Sequence, residues 1–441
     1  MKKRFKALAA ILLAVLMGVL LAACGGGSTP APAGSGAAPA GSGAAAPTGD
    51  KTEIVIGWVA PFTGPYAVFT QAFDWTSKLC LDKINADGGI YIEAYGKKLP
   101  VRLVTMDTES DPTKAAEAAT KMVNDGEIDL LVGAWTPDTT IPVAGVAERF
   151  QMPCLCPNSP ADSWASSAEH EWSWGMMFKI ADYINGDMLT LEKIDGTNKK
   201  VGFMFDSAVD GVLMSQMVGE ELTKRGYEVF DPGRYPEDTT DYTSVVKQIQ
   251  AADCDIVYGN MALPQFQTAW GQFYELGYKP KVLIVGKALC FGTDVESLGE
   301  GRGENIIVEH NWDASYGYYS PLLEMSSQEI ADKFEEEFGT QNPGTELGYD
   351  IAAFEILQAA LQSCADLEPE TVRDAIGGVE MTGIFGDYKF NPEDHVSVFP
   401  ITTAQWRSGG KWPYEVHVVS HGNFTEIPEE DPLTFADTTQ K

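Results

Sequence analysis

Residues Ile54–Asn85 read IVIGWVAPFTGPYAVFTQAFDWTSKLCLDKIN, an apolar run followed by a turn and a periodic segment. The apolar run predicts a buried strand, and the turn falls at Thr63–Pro65. Beyond the turn, side chains suited to burial recur three or four residues apart, at Phe69, Phe73, Thr76, Cys80 and Ile84. That spacing is typical of one face of a helix, so the stretch predicts a strand followed by a helix packed against it.

The same pattern of strand and helix repeats along the chain. Further strands are predicted at Leu99–Met106, Ile128–Val132 and Pro153–Cys156, with helices between them that begin after Asp111 and Thr136. A second series starts with the strand Val201–Phe205. Because alternating strands and helices form parallel sheets covered on both faces, the chain predicts an α/β fold of two doubly wound lobes.

The two ends of the chain differ from this folded part. Residues 1–23 combine a basic start, an apolar run and small residues before Cys24, which predicts a signal peptide and lipidation of that cysteine. Residues 24–51 form a linker rich in Gly, Ala, Pro and Ser, and residues 425–441 form a polar tail. We therefore expect an extracytoplasmic protein that its N-terminal lipid anchors to the outer face of the cytoplasmic membrane.

Composition excludes some classes of partner. The chain of 441 residues carries 63 acidic and 31 basic side chains, a formal net charge of −32. Such a charge argues against binding to nucleic acid and against electrostatic adhesion to anionic lipid. Hydrophobic residues make up 44% of the chain, which is enough for the cores of two ordinary domains.

Motifs of catalysis and of cofactor binding are missing from the sequence. It contains no Gly-x-Ser-x-Gly elbow, no His-Glu-x-x-His pattern and no P-loop, so we expect neither an enzyme nor a cofactor. The pair Cys154 and Cys156 has no second pair at ligand spacing, which argues against a metal site. The cysteines after Cys24 are widely spread and lie in apolar runs, which favours buried side chains, although the sequence leaves their disulfide pairing open.

The loops that should carry function lie where strands end, because ligands of parallel sheets bind at the carboxyl edge. In the first series these loops are Phe62–Phe69, Trp135–Asp138 and Asn158–Trp164. In the second series they are Asp206–Asp210, Gly259–Met261 and Gly286–Ala288. Thr136 is expected to cap the helix that starts at Pro137, whose free amides would suit a carboxylate. Two facing edges predict a clamshell with a ligand cleft.

Several ordered motifs resemble one known family, the type I periplasmic binding proteins that bind leucine, isoleucine and valine. They are IVIGWVAPFTGPYA (54–67), LDKINADGGI (81–90), DTESDPTKAAEAATKMV (107–123), DYTSVVKQI (241–249), GYKP (277–280), Tyr349-Asp350 and TGIFGD (382–387). The likeness extends from about Ile54 to Gly422. It implies two α/β lobes joined by three crossovers, which close on a small solute and deliver it to an ABC permease with ATPase subunits.

The resemblance also implies an arrangement of the lobes along the chain. Residues 52–178 and 313–382 would form the first lobe, and residues 179–312 and 383–424 the second, with hinges near Lys179, Asn311 and Gly383. We expect such a receptor to be a monomer.

The family's binding positions carry over to residues in the two sets of loops. They are Tyr66, Phe69, Trp135, Thr136, Asn158, Ser159, Asp206, Asp210, Met261 and Lys287. Lys287 stands where the resemblance implies the acidic residue that holds a substrate ammonium. Either Asp206 or Asp210 replaces that acid, or the ligand is not an α-amino acid, and Lys287 would then favour an anion. Lys287 could also be solvated, and Asp206 and Asp210 could be helix caps.

The function implied is binding of a branched-chain or other hydrophobic or aromatic amino acid for an importer. Phe69 and Trp135 could stack a planar or quaternary-ammonium group. A non-amino-acid carboxylate or an aromatic compound on the same scaffold is the alternative. A further alternative is a sensor that presents the solute to a membrane receptor. The sequence does not separate these ligands, and it does not identify the permease.

Overall fold

The computed structural model describes residues 51–430. The expected signal peptide, the lipidation site Cys24, the linker up to residue 50 and the tail from residue 431 lie outside the described residues. Within residues 51–430, no helix has both the length and the apolar character that crossing a membrane requires.

The chain up to Met177 alternates strands and helices. Its elements are β1 (Ile54–Ala60), α1 (Phe73–Asn85), β2 (Ile90–Ile92), β3 (Lys97–Leu99), β4 (Val101–Asp107), α2 (Pro112–Asp125), β5 (Leu130–Gly133), α3 (Pro137–Phe150), β6 (Cys154–Pro157), α4 (Ala161–Ser167) and β7 (Ser173–Met177). Short 3₁₀ turns lie at Ala67–Thr70 and Glu93–Tyr95.

A second alternating series follows, and a mainly helical segment comes after it. The second series contains α5 (Ile180–Glu192), β8 (Lys200–Asp206), α6 (Val209–Lys224), β9 (Glu228–Phe230), β10 (Arg234–Tyr235), α7 (Thr243–Ala251), β11 (Ile256–Asn260), α8 (Leu263–Glu275), β12 (Val282–Gly286), α9 (Gly292–Glu296) and β13 (Ile307–His310). The remaining elements are β14 (Tyr319–Ser320), β15 (Met325–Ser326), α10 (Ser327–Phe338), α11 (Thr345–Ser363), α12 (Pro369–Gly377), β16 (Glu380–Gly383), β17 (Gly386–Lys389), β18 (Val396–Val398), β19 (Thr402–Arg407) and β20 (Glu415–Ser420). A third 3₁₀ turn lies at Ala314–Tyr316.

The two large sheets define two lobes. The first sheet has the order β18-β7-β6-β5-β1-β4, and all its pairings are parallel. The second runs β10-β8-β11-β12-β13-β19-β20, with β9 also on β8. Its pairings are parallel up to β13, and β19 and β20 add an antiparallel hairpin. The prediction of two doubly wound α/β lobes is confirmed.

The chain passes between the lobes at three places, two of which lie where the sequence predicts hinges. The first lies between β7 and α5, next to Lys179, and the second follows β13 at Asn311. Phe399 packs in the core of the first lobe and Ile401 in a core of the second, so the third passage lies at Pro400. The predicted hinge at Gly383 is therefore wrong.

The assignment of residues 383–424 to the second lobe is also wrong for their first part. β18 pairs in parallel with β7 at the edge of the first sheet, and only β19 and β20 belong to the second sheet. The sequence also predicts a hairpin of 396–406 with 414–419. The hairpin in the structure is shorter, because the first three of these residues form β18. A parallel neighbour some 220 residues away leaves no local trace in the sequence.

Local signals predict several elements closely. Asp111 caps α2 by accepting from the N–H groups of Thr113 and Lys114, at 2.8 and 2.9 Å, ahead of Pro112 at the first helical position. The sequence predicts that the first helix begins at Tyr66, directly after the turn, but it starts at Phe73, because a 3₁₀ turn occupies Ala67–Thr70. No strand is predicted at Ser173–Met177, which reads SWGMM and forms β7.

The cysteines of the described residues are free rather than paired. Cys80, Cys154, Cys156, Cys254 and Cys364 are buried, and Cys290 is partly exposed. The Sγ atoms of Cys154 and Cys156 lie 3.4 Å apart on one face of β6, as strand alternation predicts. Within residues 51–430, no cluster of three or more His, Cys, Asp or Glu side chains has the arrangement of a metal site.

Candidate functional site

A cleft lies between the carboxyl edges of the two sheets and holds a cavity of about 50 Å³. It is lined by Phe69, Trp135, Thr136, Pro137, Pro160, Met177, Phe178, Asp210, Met214, Asn260, Lys287, Cys290, Glu309, Asn311 and Thr345. Of the predicted ligand contacts, Phe69, Trp135, Thr136, Asp210 and Lys287 are among these residues. The others are not: Tyr66, Asn158, Ser159, Asp206 and Met261.

The wall that the first lobe contributes is aromatic. Phe69 lies parallel to Trp135 at a centroid distance of 5.4 Å and an interplanar angle of 18°. Tyr349 of α11 meets the other side of Trp135 edge-on at 5.5 Å. Phe69 also meets Phe291 of the second lobe at 5.9 Å, so this aromatic group extends across the cleft. Offset and edge contacts of this kind fix the orientation of the rings that a ligand would meet.

Thr136 does not cap α3, contrary to expectation. Its hydroxyl makes no capping hydrogen bond, and its φ of 65° is in the left-handed region. Thr136 Oγ1 lies 3.5 Å from Thr139 Oγ1, and the Thr136 N–H donates to the carbonyl of Asn158 at 3.1 Å. A cap needs extended backbone to turn its side chain onto the first helical amides, and this backbone is not extended. The Thr136 side chain therefore faces the cleft.

Asn158 and Ser159 lie behind the wall of the first lobe. Asn158 is 2% exposed and Ser159 is fully buried. Both polar atoms of the Asn158 amide and the Ser159 hydroxyl have no hydrogen-bond partner in the described part of the chain. The next residue, Pro160, reaches the cleft instead.

Asp210 is the polar centre of the wall that the second lobe contributes. Its Oδ2 accepts from the Asn260 amide at 2.9 Å, and its Oδ1 pairs with the Lys287 ammonium at 3.3 Å. Gly286 makes room for this arrangement, since a Cβ there would lie 2.6 Å from the Asn260 amide oxygen. Asp210 sits in the first turn of α6, where a carboxylate is also favoured by the helix dipole.

Lys287 is not solvated, because it is only 7% exposed. Besides Asp210, its ammonium faces the ring of Tyr66, with Nζ 4.9 Å from the ring centroid. Burial by itself would lower the pKa of Lys287. Asp210, Tyr66, Asp206 and Asp138 outweigh that effect and hold the pKa well above its usual value. The ammonium stays charged and is occupied by groups of the protein.

Tyr66 connects the lobes beneath this pair. It belongs to the first lobe, yet its hydroxyl donates to Glu237 and its ring supports Lys287, both in the second lobe. It is 2% exposed. The arrangement makes Tyr66 a contact between lobes rather than part of the cleft lining.

Asp206 and Met261 belong to the interior of the second lobe. Asp206 is fully buried and does not cap α6; its Oδ1 accepts from the N–H of Ala208, the residue before the helix, at 3.1 Å. Burial raises the pKa of Asp206 to about 7. Met261 lines a separate, small apolar cavity of about 10 Å³ between the sheet and α8, next to Phe266 and Val285.

Sequence reasoning missed three polar residues of the cleft: Glu309, Asn311 and Thr345. Glu309 and Asn311 lie at the carboxyl end of β13, the strand beside β12, so the edge rule would have found them had it been applied one strand further. Thr345 is the first residue of α11, and nothing in the sequence indicates that this helix reaches the cleft.

Glu309 differs from Asp210 in having one carboxylate oxygen without a hydrogen-bond partner. Its Oε1 accepts from the Lys287 backbone N–H at 3.1 Å, and its Oε2 has no partner among residues 51–430. Burial raises the pKa of Glu309 to about 7. On the opposite wall, burial likewise raises the pKa of Asp138, at the start of α3, to about 6. The site therefore joins an aromatic wall to a group of carboxylates with one paired lysine.

Comparison with known proteins agrees with this architecture. The sequence model of the periplasmic binding protein family matches residues 53–411. The Leu/Ile/Val-binding protein BraC3 of Rhizobium johnstonii is 24% identical over 363 residues, which cover 81% of this chain and 92% of that protein.

Two solved structures are similar in fold. One is the leucine-binding protein LivK of Thermotoga maritima, with a TM-score of 0.68, 16% identity and coverage of 82% of this chain and 98% of that one. The other is a solute-binding protein of an ABC transporter from Rhodopseudomonas palustris, solved with 3,4-dihydroxybenzoic acid. Its TM-score is 0.68 at 16% identity, and the match covers 85% of this chain and 99% of that one.

Fold, cleft and sequence match together define a solute receptor of two lobes. The chain belongs to the type I periplasmic binding proteins, in the branched-chain amino acid-binding family. It is a substrate-binding protein of the ABC-transporter kind, and the family indicates a location outside the cytoplasm.

Proposed function

We propose that this protein is the lipid-anchored receptor of an ABC importer and that its solute carries an ammonium group beside an apolar or aromatic body. Hydrophobic and aromatic amino acids are the first candidates. The observation that carries this proposal is Glu309, whose Oε2 has no partner in residues 51–430 and which lines the cleft opposite Trp135. A carboxylate placed this way can pair an ammonium, while the aromatic wall covers the rest of the solute.

Solute binding would act through closure of the lobes. A ligand that touches both walls gains contacts only when the lobes are together, so it shifts the population towards the closed form. The permease would then recognise the closed form. No catalytic step is part of this proposal.

A thermal-shift screen of the full chain tests the ligand class. The panel contains leucine and phenylalanine beside their deaminated acids, 4-methylpentanoate and 3-phenylpropanoate. A ligand at a hundred times its dissociation constant adds about 2.7 kcal/mol to the free energy of unfolding. We expect shifts with the amino acids and none with the acids.

An aromatic carboxylate is the second candidate. The stacked rings of Phe69 and Trp135 favour a planar body, and the R. palustris protein of similar fold was solved with such an acid. A shift with 3-phenylpropanoate or 3,4-dihydroxybenzoate alone would favour this candidate and reject the ammonium. A sensor role remains the alternative to import, and deletion of the permease genes distinguishes the two through solute uptake.

The lipid anchor and the oligomeric state are parts of the same proposal. Replacing Cys24 with Ala should release the protein from the membrane fraction, and mass spectrometry of the mature N-terminus should find acyl chains on the native cysteine. Light scattering should give the mass of a monomer with or without ligand.

A further inference from the structure

The wall of the first lobe offers few donors to a ligand carboxylate. Two of its cleft residues, Pro137 and Pro160, have no N–H. Neighbouring backbone N–H groups already donate within the lobe: Thr136 to Asn158 at 3.1 Å, Asn158 to Met176 at 3.1 Å and Ala161 to Phe178 at 2.8 Å. These three N–H groups are therefore not free for a ligand carboxylate, and the unpaired Asn158 amide and Ser159 hydroxyl are buried behind the wall.

The start of α3 already has a carboxylate of its own. Asp138 is the second residue of that helix, and its Oδ2 has no partner within residues 51–430. The backbone N–H of Val209, across the cleft, faces the same side chain. A ligand carboxylate at this helix start would meet Asp138 and be repelled by it.

The charge of the opposite wall is also unfavourable for an anion. Among the described residues that line the cleft, the basic side chain is Lys287, and Asp210 and the Tyr66 ring occupy its ammonium. Asp206, Glu237 and Glu309 lie around it as further carboxylates. An incoming anion would add to this negative charge without gaining a free cation.

The same wall provides an acceptor for a cation. Glu309 lines the cleft, and its Oε2 has no partner in the described residues. Trp135 and Phe69 line the same cleft and provide apolar aromatic area for the body of such a ligand.

We infer that the cleft selects cationic amines and that an α-carboxylate on the ligand is dispensable. The ligand class is then an arylalkyl or branched alkyl amine, held by Glu309 at its ammonium and by the Phe69–Trp135 wall at its body. This inference rests on the proposed function, solute binding in this cleft, and narrows its ligand.

Isothermal titration of the full chain with two matched series tests the inference. One series is phenylalanine, 2-phenylethylamine and 3-phenylpropanoate, and the other is leucine, 3-methylbutylamine and 4-methylpentanoate. We expect each amine to bind at least as tightly as its amino acid, and each acid to bind at least a hundredfold more weakly.

Two substitutions sharpen the result. Glu309→Gln should weaken the binding of the amines by about tenfold to a hundredfold, as loss of a charge-assisted hydrogen bond does, with partial recovery in Glu309→Asp.

Asp138→Asn should improve the affinity for phenylalanine relative to that for 2-phenylethylamine, because it removes the carboxylate at the helix start. Asp206→Asn is the matched control, since Asp206 lies near Lys287 but outside the cleft lining. If Glu309→Gln fails to fold, the Asp138→Asn comparison still decides.

Other outcomes would overturn the inference. Amino acids that bind tenfold more tightly than their amines would refute it and leave the proposed ammonium solute intact. Binding of the acids alone would refute both. Absence of binding in all six titrations would reject these amines as ligands, and the thermal-shift screen would then judge the proposed function separately.

Discussion

The two walls of the cleft come from similar βαβ edges but have opposite chemistry. The first-lobe wall is built of aromatic rings and prolines, with Trp135 stacked on Phe69. The second-lobe wall is built of charges, with Asp210, Lys287 and Glu309 in contact. The difference teaches that one lobe can supply apolar area while the charges of the other lobe fix the orientation of the solute. Only the closed form presents both walls to a solute.

Lys287 should give the largest effect on stability. Lys287→Met leaves Asp210 buried without its cation, so we expect a loss of about 3–5 kcal/mol in the free energy of unfolding, measured in urea at pH 8. The loss should shrink as the pH falls, because the carboxylates that Lys287 faces then bind protons. The matched control is Lys281→Met, which breaks an ion pair with Asp255 whose lysine is 51% exposed, and it should cost at most about 1 kcal/mol. Equal losses for the two variants would mean that the Lys287–Asp210 pair stabilises the fold no more than an exposed ion pair does.

Tyr66 should give the next largest effect, because it is where the two walls touch. Tyr66→Phe keeps the ring beneath Lys287 and removes the hydroxyl that donates to Glu237, so the closed form should lose about 1.5–3 kcal/mol. Small-angle scattering of the ligand-free chain should show a larger radius of gyration.

Tyr242→Phe is the control for that measurement. Its hydroxyl is buried within the second lobe and has no partner in the part of the chain that the structure describes. The radius of gyration should therefore stay at the wild-type value. A change of equal size in both variants would contradict a role for Tyr66 between the lobes.

The pH dependence of amine binding should be smaller and should come from the charged wall. Burial raises the pKa of Glu309 to about 7, so the ligand-free carboxyl is largely protonated below that pH. An ammonium needs the ionised form, so affinity should fall as the pH drops below 7, by up to about tenfold per pH unit, with proton release on binding.

Other groups titrate in the same pH range, so the variant Glu309→Gln decides which group causes the pH dependence of amine binding. Asp138 and Asp206, with pKa values raised by burial to about 6 and about 7, also face Lys287. Titration calorimetry of Glu309→Gln between pH 5.5 and 8 should lose most of the dependence. An unchanged pH profile in that variant would assign the effect to Asp138 or Asp206.

The smallest effect should come from the aromatic wall. Trp135→Leu keeps apolar area but removes the stacked pair with Phe69. Such aromatic pairs contribute about 0.5–1.5 kcal/mol beyond the burial of their area. The preference for 2-phenylethylamine over 3-methylbutylamine, measured by titration, should therefore fall by about twofold to tenfold. Phe334→Leu is the control, because Phe334 pairs edge-on with Trp75 and lies outside the cleft lining. Loss of both affinities to the same extent would mean that Trp135 does not distinguish aromatic bodies.

Local chemistry accounts for most of the fold and for part of the site. The run Ile54–Ala60 and the cap at Asp111 act through neighbours in sequence, so both could be predicted. β18 could not, because three residues gain their place from pairing with β7, far back in the chain. A three-residue strand has too few positions for alternation to be recognised.

The site divides in the same way. Trp135 and Asp210 follow strand ends and were found by that rule. Whether Lys287 is free or paired depends on Asp210, 77 residues earlier, and on Tyr66 in the other lobe. The role of Glu309 depends on which of its oxygens the Lys287 backbone uses, and no spacing in the sequence records that contact.

The passage at Pro400 has a consequence for how the chain is made. β18 completes the edge of the first sheet, and β19 and β20 complete the edge of the second, so both sheets receive their last strands from residues 396–420. During synthesis from the N-terminus, neither lobe has its full set of strands until nearly the whole chain has left the ribosome. A protein that must cross a membrane before folding would gain time from such an order, since its two halves finish together and late.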